Sequence, residues 1–393
     1  MSGDTPNPVI AMLGRRLRLA VIGGGPGSFI GETHRMAARL DDRYEIVAGV
    51  FSSNPVKSQR FAASLRLPAE RAPGTVESML DAEAARADGA DVAAIMTPND
   101  SHYPYAMAAL EHGLDVICDK PMTNTVEHAE ALEAKVRETG LVFCLTHNYT
   151  GYPMVRQARA MVAAGELGAI RLLQVEYVQG GKADERTPDP VGPWRFDSKK
   201  AGPSLVMGDI GSHAHNLVRF VTGLEVAEVC AEIGTIVPGR RVHDYGGALL
   251  RMAGGARGGL WVTQAAAGVE NGLRLRVSGT KGTLEWQQEL PQRLVFKPLG
   301  RPAEVFTPGG PGVLPLARRA SRLKAGHPEG FLAAFANLYA DAAEAIAARR
   351  SGGEADPLAV VFPNASDGLM GVRFLTRALE SSAAGGTWVG CGA

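Results

Sequence analysis

Two short stretches of the chain combine side chains that move protons or hold charge. Lys120 stands in Asp119-Lys120-Pro121, directly after the apolar run Asp115–Cys118. A lysine at the end of a buried strand is a cation at a sheet edge, suited to a cofactor or a developing oxyanion, unless Asp119 pairs with it as a structural ion pair. In Gly208-Asp209-Ile210-Gly211-Ser212-His213, Asp209 and His213 are four residues apart. On a helix they project from one face. An Asp beside a His orients the ring and favours its protonated form, a general acid/base arrangement, although an ordinary polar pair on a helix has the same spacing. His215 would complete a metal set with these two, but it falls on another face of the helix, so no metal is expected.

A third stretch, Leu17–His34, could bind phosphate. An apolar run to Ile22 is followed by glycines at 23, 24, 25, 27 and 31, then by a helical pattern through Met36, Ala37 and Leu40. Strand, glycine turn and helix together form the first half of a dinucleotide-binding unit, in which backbone N–H groups approach a pyrophosphate at the helix N-terminus. A tight turn without a ligand would read similarly. Gly23-x-Gly25 fits the fingerprint, but Ser28 stands where its third glycine is expected, and Gly31 comes three residues late.

These groups need a scaffold, and the pattern around them supplies one. Strands are expected at Leu17–Ile22, Glu45–Phe51, Asp91–Met96 and Asp115–Cys118, with Leu141–Thr146 read as a sixth strand-like run. Helices intervene: Asn54-Pro55 to about Leu65, Asp100–His112, and one opened by an Asn124-x-x-Glu127 capping box and closed at Gly140. Strands alternating with helices predict a Rossmann-type, doubly wound parallel sheet over residues 16–149, behind a flexible arm of residues 1–15.

From residue 150 to 393 the pattern changes. It predicts a helix at Pro153–Ala164, a strand at Ile170–Val178, a polar loop over 179–203 and a helix at Ser204–Thr222. Short strands with glycine turns follow to Thr307, then a loop over 308–325 and helices near 328–349 and 364–383. This is an α+β domain with an open, mostly antiparallel sheet. One face of that sheet has only the domain's helices to cover it, so the other is solvated or paired with a second subunit.

The 41 basic and 41 acidic residues cancel, so no nucleic-acid partner is indicated. No run of about eighteen apolar residues suggests a membrane span, and the N-terminal residues do not read as a secretory signal. The four cysteines have no paired spacing; Cys118 and Cys144 read as buried hydrophobes in a reduced, cytoplasmic chain.

Four motifs in order, Gly31-x-x-His34, Thr97-Pro98-Asn99-x-x-His102, Asp119-Lys120-Pro121 and Gly208-Asp209-x-Gly211-x-His213, resemble those of the Gfo/Idh/MocA oxidoreductases from about Arg16 to Trp388. The resemblance implies nicotinamide-dependent hydride transfer at a secondary hydroxyl of a sugar, anhydrosugar or cyclitol. Lys120, Asp209 and His213 then match the catalytic residues, with Asp119 replacing a Glu. Gly23, Gly25, Ser28, Phe29, Ile30, Ser52, Thr97, Asn99, His102, Asp119 and Lys120 are expected at the cofactor. Asn148, Tyr149, Tyr152, Trp194, Asp209, His213 and His327 are expected at the substrate. The long glycine loop and the run His147–Pro153 are similar to the branch containing levoglucosan dehydrogenase. Thr150-Gly151 departs from the Arg that many members carry there. Ser52 ends the second strand where a carboxylate would select NAD, so NAD is expected with NADP permitted, in a homodimer or homotetramer. An NAD-dependent glycosidase of the same fold, or a non-catalytic sugar or nucleotide sensor, are the alternative readings.

Overall fold

Five apolar runs become five parallel strands: β1 Leu17–Gly23, β2 Tyr44–Val50, β3 Val92–Met96, β4 Asp115–Cys118 and β5 Phe143–Leu145, in the order β2-β1-β3-β4-β5. The structure is a computed structural model that describes residues 7–184 and 193–392. The expected arm and the expected polar loop 179–203 therefore lie partly outside the described residues. Every residue of β3 and β4 is buried, as expected for strands covered on both faces. Leu141–Thr146, read as a sixth strand-like run, is the fifth strand of this sheet, and the segment between Leu65 and Asp91 folds as the helix Val76–Ala84. The direction of winding reverses between β1 and β3. In open α/β sheets that switch point, at the carboxyl ends of the strands, is where ligands bind.

Two compact units divide the chain. The first comprises Met1–Thr123, Glu127–Asn148 and Phe335–Leu369; the second comprises Asn124–Val126, Tyr149–Ala334 and Met370–Ala393. The sequence pattern assigned all of 150–393 to one domain, yet most of the helix Phe331–Ser351 belongs to the first unit. The reason is packing: the Tyr339 hydroxyl lies 2.7 Å from His34 Nδ1, and the Tyr339 carbonyl accepts from the Tyr44 hydroxyl at 2.8 Å. Arg350 and Arg349 at the helix end reach Asp91 at 2.6 Å and Asp115 at 2.8 Å. This helix also corrects the expectation that no span is apolar enough to cross a membrane. An eighteen-residue window reaches a mean hydropathy of 1.2, with 78% of it buried in the protein.

The described part of the expected arm, residues 7–15, is ordered. Asn7 caps a helix, Pro8–Leu13, and Arg15 holds Asp91 at 2.6 Å. The expected capping box is not made by Asn124 either. The helix begins at Val126, and the Asn124 amide instead donates to the Lys200 carbonyl at 3.2 Å.

The second unit contains nine strands: β6 Ile170–Val178, β7 Val226–Gly234, β8 Tyr245–Met252, β9 Arg257–Thr263, β10 Gly272–Gly279, β11 Gly282–Gln287, β12 Leu294–Pro298, β13 Glu304–Phe306 and β14 Val389–Gly390. Their order is β13-β12-β11-β10-β6-β9-β8-β7-β14. Within this sheet, among the described residues, only β6 and β9 pair in parallel, so the sheet is mixed and mostly antiparallel. Alternation sends Leu273, Leu275 and Val277 into the core and Arg274 and Arg276 outward. Each large apolar side chain buried this way contributes about 1.5–3 kcal/mol. The helices Pro153–Ala163 and Ser212–Thr222 pack on the inner face.

Candidate functional site

In the first unit, the turn after β1 is built on two different uses of glycine. Gly23 and Gly24 have φ of 87° and 63°, which L side chains rarely adopt. Gly25 and Gly31 are needed for space. A Cβ on Gly25 would lie 2.2 Å from the Phe51 carbonyl oxygen, and one on Gly31 would lie 2.3 Å from Cα of Gly24. Gly31 thus supplies the close packing of helix on turn that the strict fingerprint assigns three residues earlier. Ser28, in that earlier position, caps the helix Phe29–Leu40 by accepting from Gly31 N–H at 3.1 Å. Phe29 is 67% exposed, and Ile30 is half-buried.

The ends of β3 and β4 lie beside this turn in the same sheet. Thr97 follows β3, and its Oγ1 is buried with no hydrogen-bond partner among the described residues. A Cβ on Gly23 would approach its Cγ2 to 2.7 Å. An orphaned hydroxyl beside a glycine cradle at the switch point fits a dinucleotide. Asn99 is also buried. His102 is fully buried, its ring nitrogens 2.8 Å from the Pro121 carbonyl and 3.0 Å from the Thr97 carbonyl. It ties the two strand ends together. Asp119 Oδ1 accepts from the Lys120 N–H at 2.8 Å and from Thr146 at 3.2 Å, which fixes the turn that carries Lys120.

At the end of β2, Ser52 Oγ accepts from Asn54 N–H at 3.1 Å, and Lys57 is exposed. Arg35, whose guanidinium lies 5.0 Å over the Phe61 ring, donates to the Gly24 carbonyl. It braces the glycine turn. Asn148, at the end of this unit, is buried, and its Nδ2 has no partner among the described residues.

In the second unit, Asp209 sits in a π-helical turn, Met207–Gly211, and His213 in the α-helix Ser212–Thr222. The expected uninterrupted helix Ser204–Thr222 is interrupted by this bulge, which contains the glycines at 208 and 211. Such bulges concentrate at functional sites. Gln264 donates to Asp209 Oδ2 at 2.8 Å, and Lys182 Nζ lies 4.0 Å from the same oxygen. The His213 ring packs against Tyr149, with centroids 4.8 Å apart, and Tyr177 lies 6.2 Å away.

Tyr149 is among the residues expected at the substrate. Here it is 4% exposed, and its hydroxyl meets those of Tyr177 and, at 3.5 Å, the Asn271 amide. Burial pushes both phenols above their ordinary pKa, so they remain neutral donors. Tyr152 is a core residue beside Trp286. Trp194 lies in a short helical turn under Arg195, and His327 is exposed in a turn, 3.1 Å from the Lys324 carbonyl. His215 stacks on Phe374 at 4.3 Å. Among the described residues, no group of three or more His, Cys, Asp or Glu is arranged to hold a metal.

Sequence reasoning missed Tyr177, Gln179, Lys182, Gln264 and Asn271. One signal was available. Val178 and Thr263 are register partners at the ends of β6 and β9, and a glutamine directly follows each, Gln179 and Gln264.

A doubly wound parallel sheet with a glycine-lined turn at its switch point defines a dinucleotide-binding domain, and the second unit carries Asp209 and His213 on consecutive helical turns. Residues 17–147 match the model described as "Oxidoreductase family, NAD-binding Rossmann fold", and residues 155–285 match "GFO/IDH/MocA C-terminal domain". An uncharacterised oxidoreductase of Bacillus subtilis is 31% identical over 96% of this chain and 98% of its own. The protein belongs to the Gfo/Idh/MocA family of NAD-binding oxidoreductases. A solved inositol dehydrogenase homologue from Azotobacter vinelandii, complexed with NADH and myo-inositol, is 34% identical, with a TM-score of 0.89 over 96% of this chain and 98% of that one. A levoglucosan dehydrogenase from Pseudarthrobacter phenanthrenivorans is 27% identical over 70% of this chain and 74% of its own.

Proposed function

We propose that the protein oxidises a secondary ring hydroxyl of a cyclitol or sugar with NAD⁺, by direct hydride transfer. The observation that carries this reading is that one unit holds a glycine cradle at its sheet's switch point and the other holds Asp209 and His213. Gly23–Gly25, Ser28, Thr97 and Asn99 would hold the dinucleotide, and the nicotinamide, when bound, supplies the hydride acceptor. His213 takes the hydroxyl proton. Asp209 supports the cationic ring that results, and Lys120 stabilises the developing alkoxide, an electrostatic contribution of about 3 kcal/mol. The inositol dehydrogenase homologue is 34% identical with a TM-score of 0.89, against 25% and 0.80 for a solved levoglucosan dehydrogenase of the same coverage, which favours a cyclitol over an anhydrosugar. The test is a screen of inositols, sugars and anhydrosugars with NAD⁺ and NADP⁺, followed by nicotinamide absorbance. Absorbance growth with a cyclitol is expected. Release of a free sugar without net reduction would overturn the reading.

We also propose a homo-oligomer paired through the outer face of the nine-stranded sheet. Leu172, Leu249 and Trp261 share that face and are 59%, 60% and 42% exposed. Gly247 and Gly259 leave the surface between them flat. Light scattering of wild type and Trp261→Glu is the check, with the variant expected to be smaller. A monomeric wild type at micromolar concentration would refute it. No disulfide joins the four cysteines among the described residues, which supports a reducing, cytoplasmic setting.

A further inference from the structure

We infer that Lys182 is a positioning residue for the Asp209–His213 pair, acting by setting the direction of a row of amide side chains that leads from one to the other. This rests on the reaction proposed above. The row runs within the second unit. Lys182 Nζ donates to Gln264 Oε1 at 3.0 Å, and Gln264 Nε2 donates to Asp209 Oδ2 at 2.8 Å and to Gln179 Oε1 at 3.1 Å. Gln179 Nε2 donates to Asn271 Oδ1 at 2.7 Å. The same oxygen accepts from the Tyr177 hydroxyl at 2.8 Å, while Asn271 Nδ2 points back to the Tyr149 hydroxyl at 3.5 Å. Tyr149 carries the ring that packs on His213.

Each amide in this row has two orientations, and an ammonium can only donate. Lys182 therefore forces the oxygen of Gln264 toward itself and the nitrogen toward Asp209 and Gln179. Gln179 must then present its oxygen to Gln264 and its nitrogen to Asn271. Asn271 in turn meets Tyr177 with its oxygen and Tyr149 with its nitrogen. With Oδ1 of Asn271 taking the Tyr177 proton, the Tyr149–Tyr177 bond is left with Tyr149 as its donor. One fixed charge thus orders every donor and acceptor between Asp209 and the wall of His213. Gln264 is 2% exposed, so a flipped amide would set its oxygen against the Asp209 carboxylate with little water to relieve it.

Lys182 is itself held at both ends of its residue. Its N–H donates to the Gln264 carbonyl at 3.1 Å, and its carbonyl accepts from Arg240 at 2.9 Å. Arg240 lies in a loop whose Ile236 and Val237 N–H groups donate to the buried Asp244 carboxylate at 2.8 and 3.1 Å. The Asp244 carbonyl accepts from Gln264 N–H at 3.0 Å. The loop and the amide row form one closed unit around Lys182, which is more than a chance surface contact requires.

Among the described residues, the titratable groups around Asp209 include Lys182, His213 on the following helix, the neutral phenols Tyr149 and Tyr177, and His243 and Asp244 just before β8. The packed strand β9 adds only Arg257, at its far end. Of these, Lys182 is the cation paired with Asp209 at 4.0 Å. Removing it should make the carboxyl easier to protonate.

The experiment is a pH titration of the Asp209 carboxyl by carbon-13 NMR, in the full-length chain labelled at its aspartate carboxyls. The resonance is assigned by its loss in Asp209→Asn. In Lys182→Met the midpoint should move to higher pH by about half a unit or more, and Lys182→Arg should return it toward wild type. An unchanged midpoint in Lys182→Met overturns the inference. Should that variant fail to fold, Gln264→Leu breaks the row one step along, and the same upward move is expected or the inference falls. This readout needs no turnover. A wild type that reduces no NAD⁺ with any cyclitol or sugar would overturn the proposed reaction alone. With turnover, the acid limb of kcat/KM should follow the carboxyl in Lys182→Met, with kcat down roughly tenfold and KM for NAD⁺ unchanged.

Discussion

The rings of Tyr149 and His213 meet in a T-shaped contact, 4.8 Å between centroids and 76° between planes. The contact orients the imidazole by its ring, while the Tyr149 hydroxyl is engaged with Tyr177 and Asn271. Two variants separate these roles. Tyr149→Phe keeps the ring and loses the two hydrogen bonds of the hydroxyl, so kcat should fall only about 2- to 10-fold. Tyr149→Ala removes the wall and should cost about 10²-fold through misplacement of the ring. Equal losses in both would show that the hydroxyl itself touches substrate.

The proposed base and cation make a sharper prediction. His213→Ala and Lys120→Ala should each lower turnover by about 10²-fold or more. NADH binding, followed by its fluorescence, should survive in His213→Ala, because the residue lies outside the dinucleotide-binding unit. Near-wild-type turnover in either variant would remove that residue from the mechanism. EDTA should leave the rate unchanged.

Much of this was legible in the sequence because it rests on local pattern. The strands β1 to β5 announce themselves as apolar runs, and the glycine turn by its spacing. Gly31 was visible as a late third glycine, and the contact with Gly24 shows why it works three residues late. The π-turn at Met207–Gly211 was not legible, because a bulge needs only one extra residue in a turn and leaves the apolar periodicity almost intact. The amide row was hidden for another reason. Gln179, Gln264 and Asn271 are far apart in sequence and become neighbours only through the parallel pairing of β6 with β9 and the antiparallel pairing of β6 with β10. The long helix Phe331–Ser351 misled because its alanine-rich surface says that it is buried, but not against which unit.

The stability of the first unit should depend on pH through Asp91. This carboxylate is 1% exposed and is held by Arg15 at 2.6 Å, by Arg350 at 2.6 Å and by the Arg18 N–H at 2.8 Å. Burial alone would raise its pKa, but these partners outweigh it and hold the carboxyl below the ordinary value. A depressed carboxyl contributes stability above its unfolded pKa of about 3.9, and that contribution fades as pH falls through the lower folded value. Asp115 nearby goes the other way: burial raises it despite Arg349, so it gains a proton first on acidification. Asp91→Asn should therefore cost about 3 kcal/mol at pH 7, with the difference from wild type shrinking below pH ~4. Thermal melts across that range are the check. A pH-independent difference would assign the loss to packing.

The last prediction concerns the choice between NAD and NADP. No carboxylate stands at Ser52 to repel a 2′-phosphate, so electrostatic exclusion of NADP is absent there. Tight acceptance, however, needs an arginine or a well-aimed lysine at that strand end. Arg35 is committed elsewhere, donating to the Gly24 carbonyl and lying over Phe61. That leaves Lys57, exposed in the first turn of the helix Pro55–Ser64, where water competes for its charge. Ser52 and Asn54 offer uncharged hydrogen bonds suited to a ribose hydroxyl. Wild type should therefore use both cofactors with a modest preference for NAD, and Ser52→Asp should sharpen that preference by about tenfold or more by setting like charges together. The measurement is kcat/KM for each cofactor in both proteins. A strong wild-type preference for NADP that is lost in Lys57→Ala would show that the lysine reads the phosphate despite its exposure.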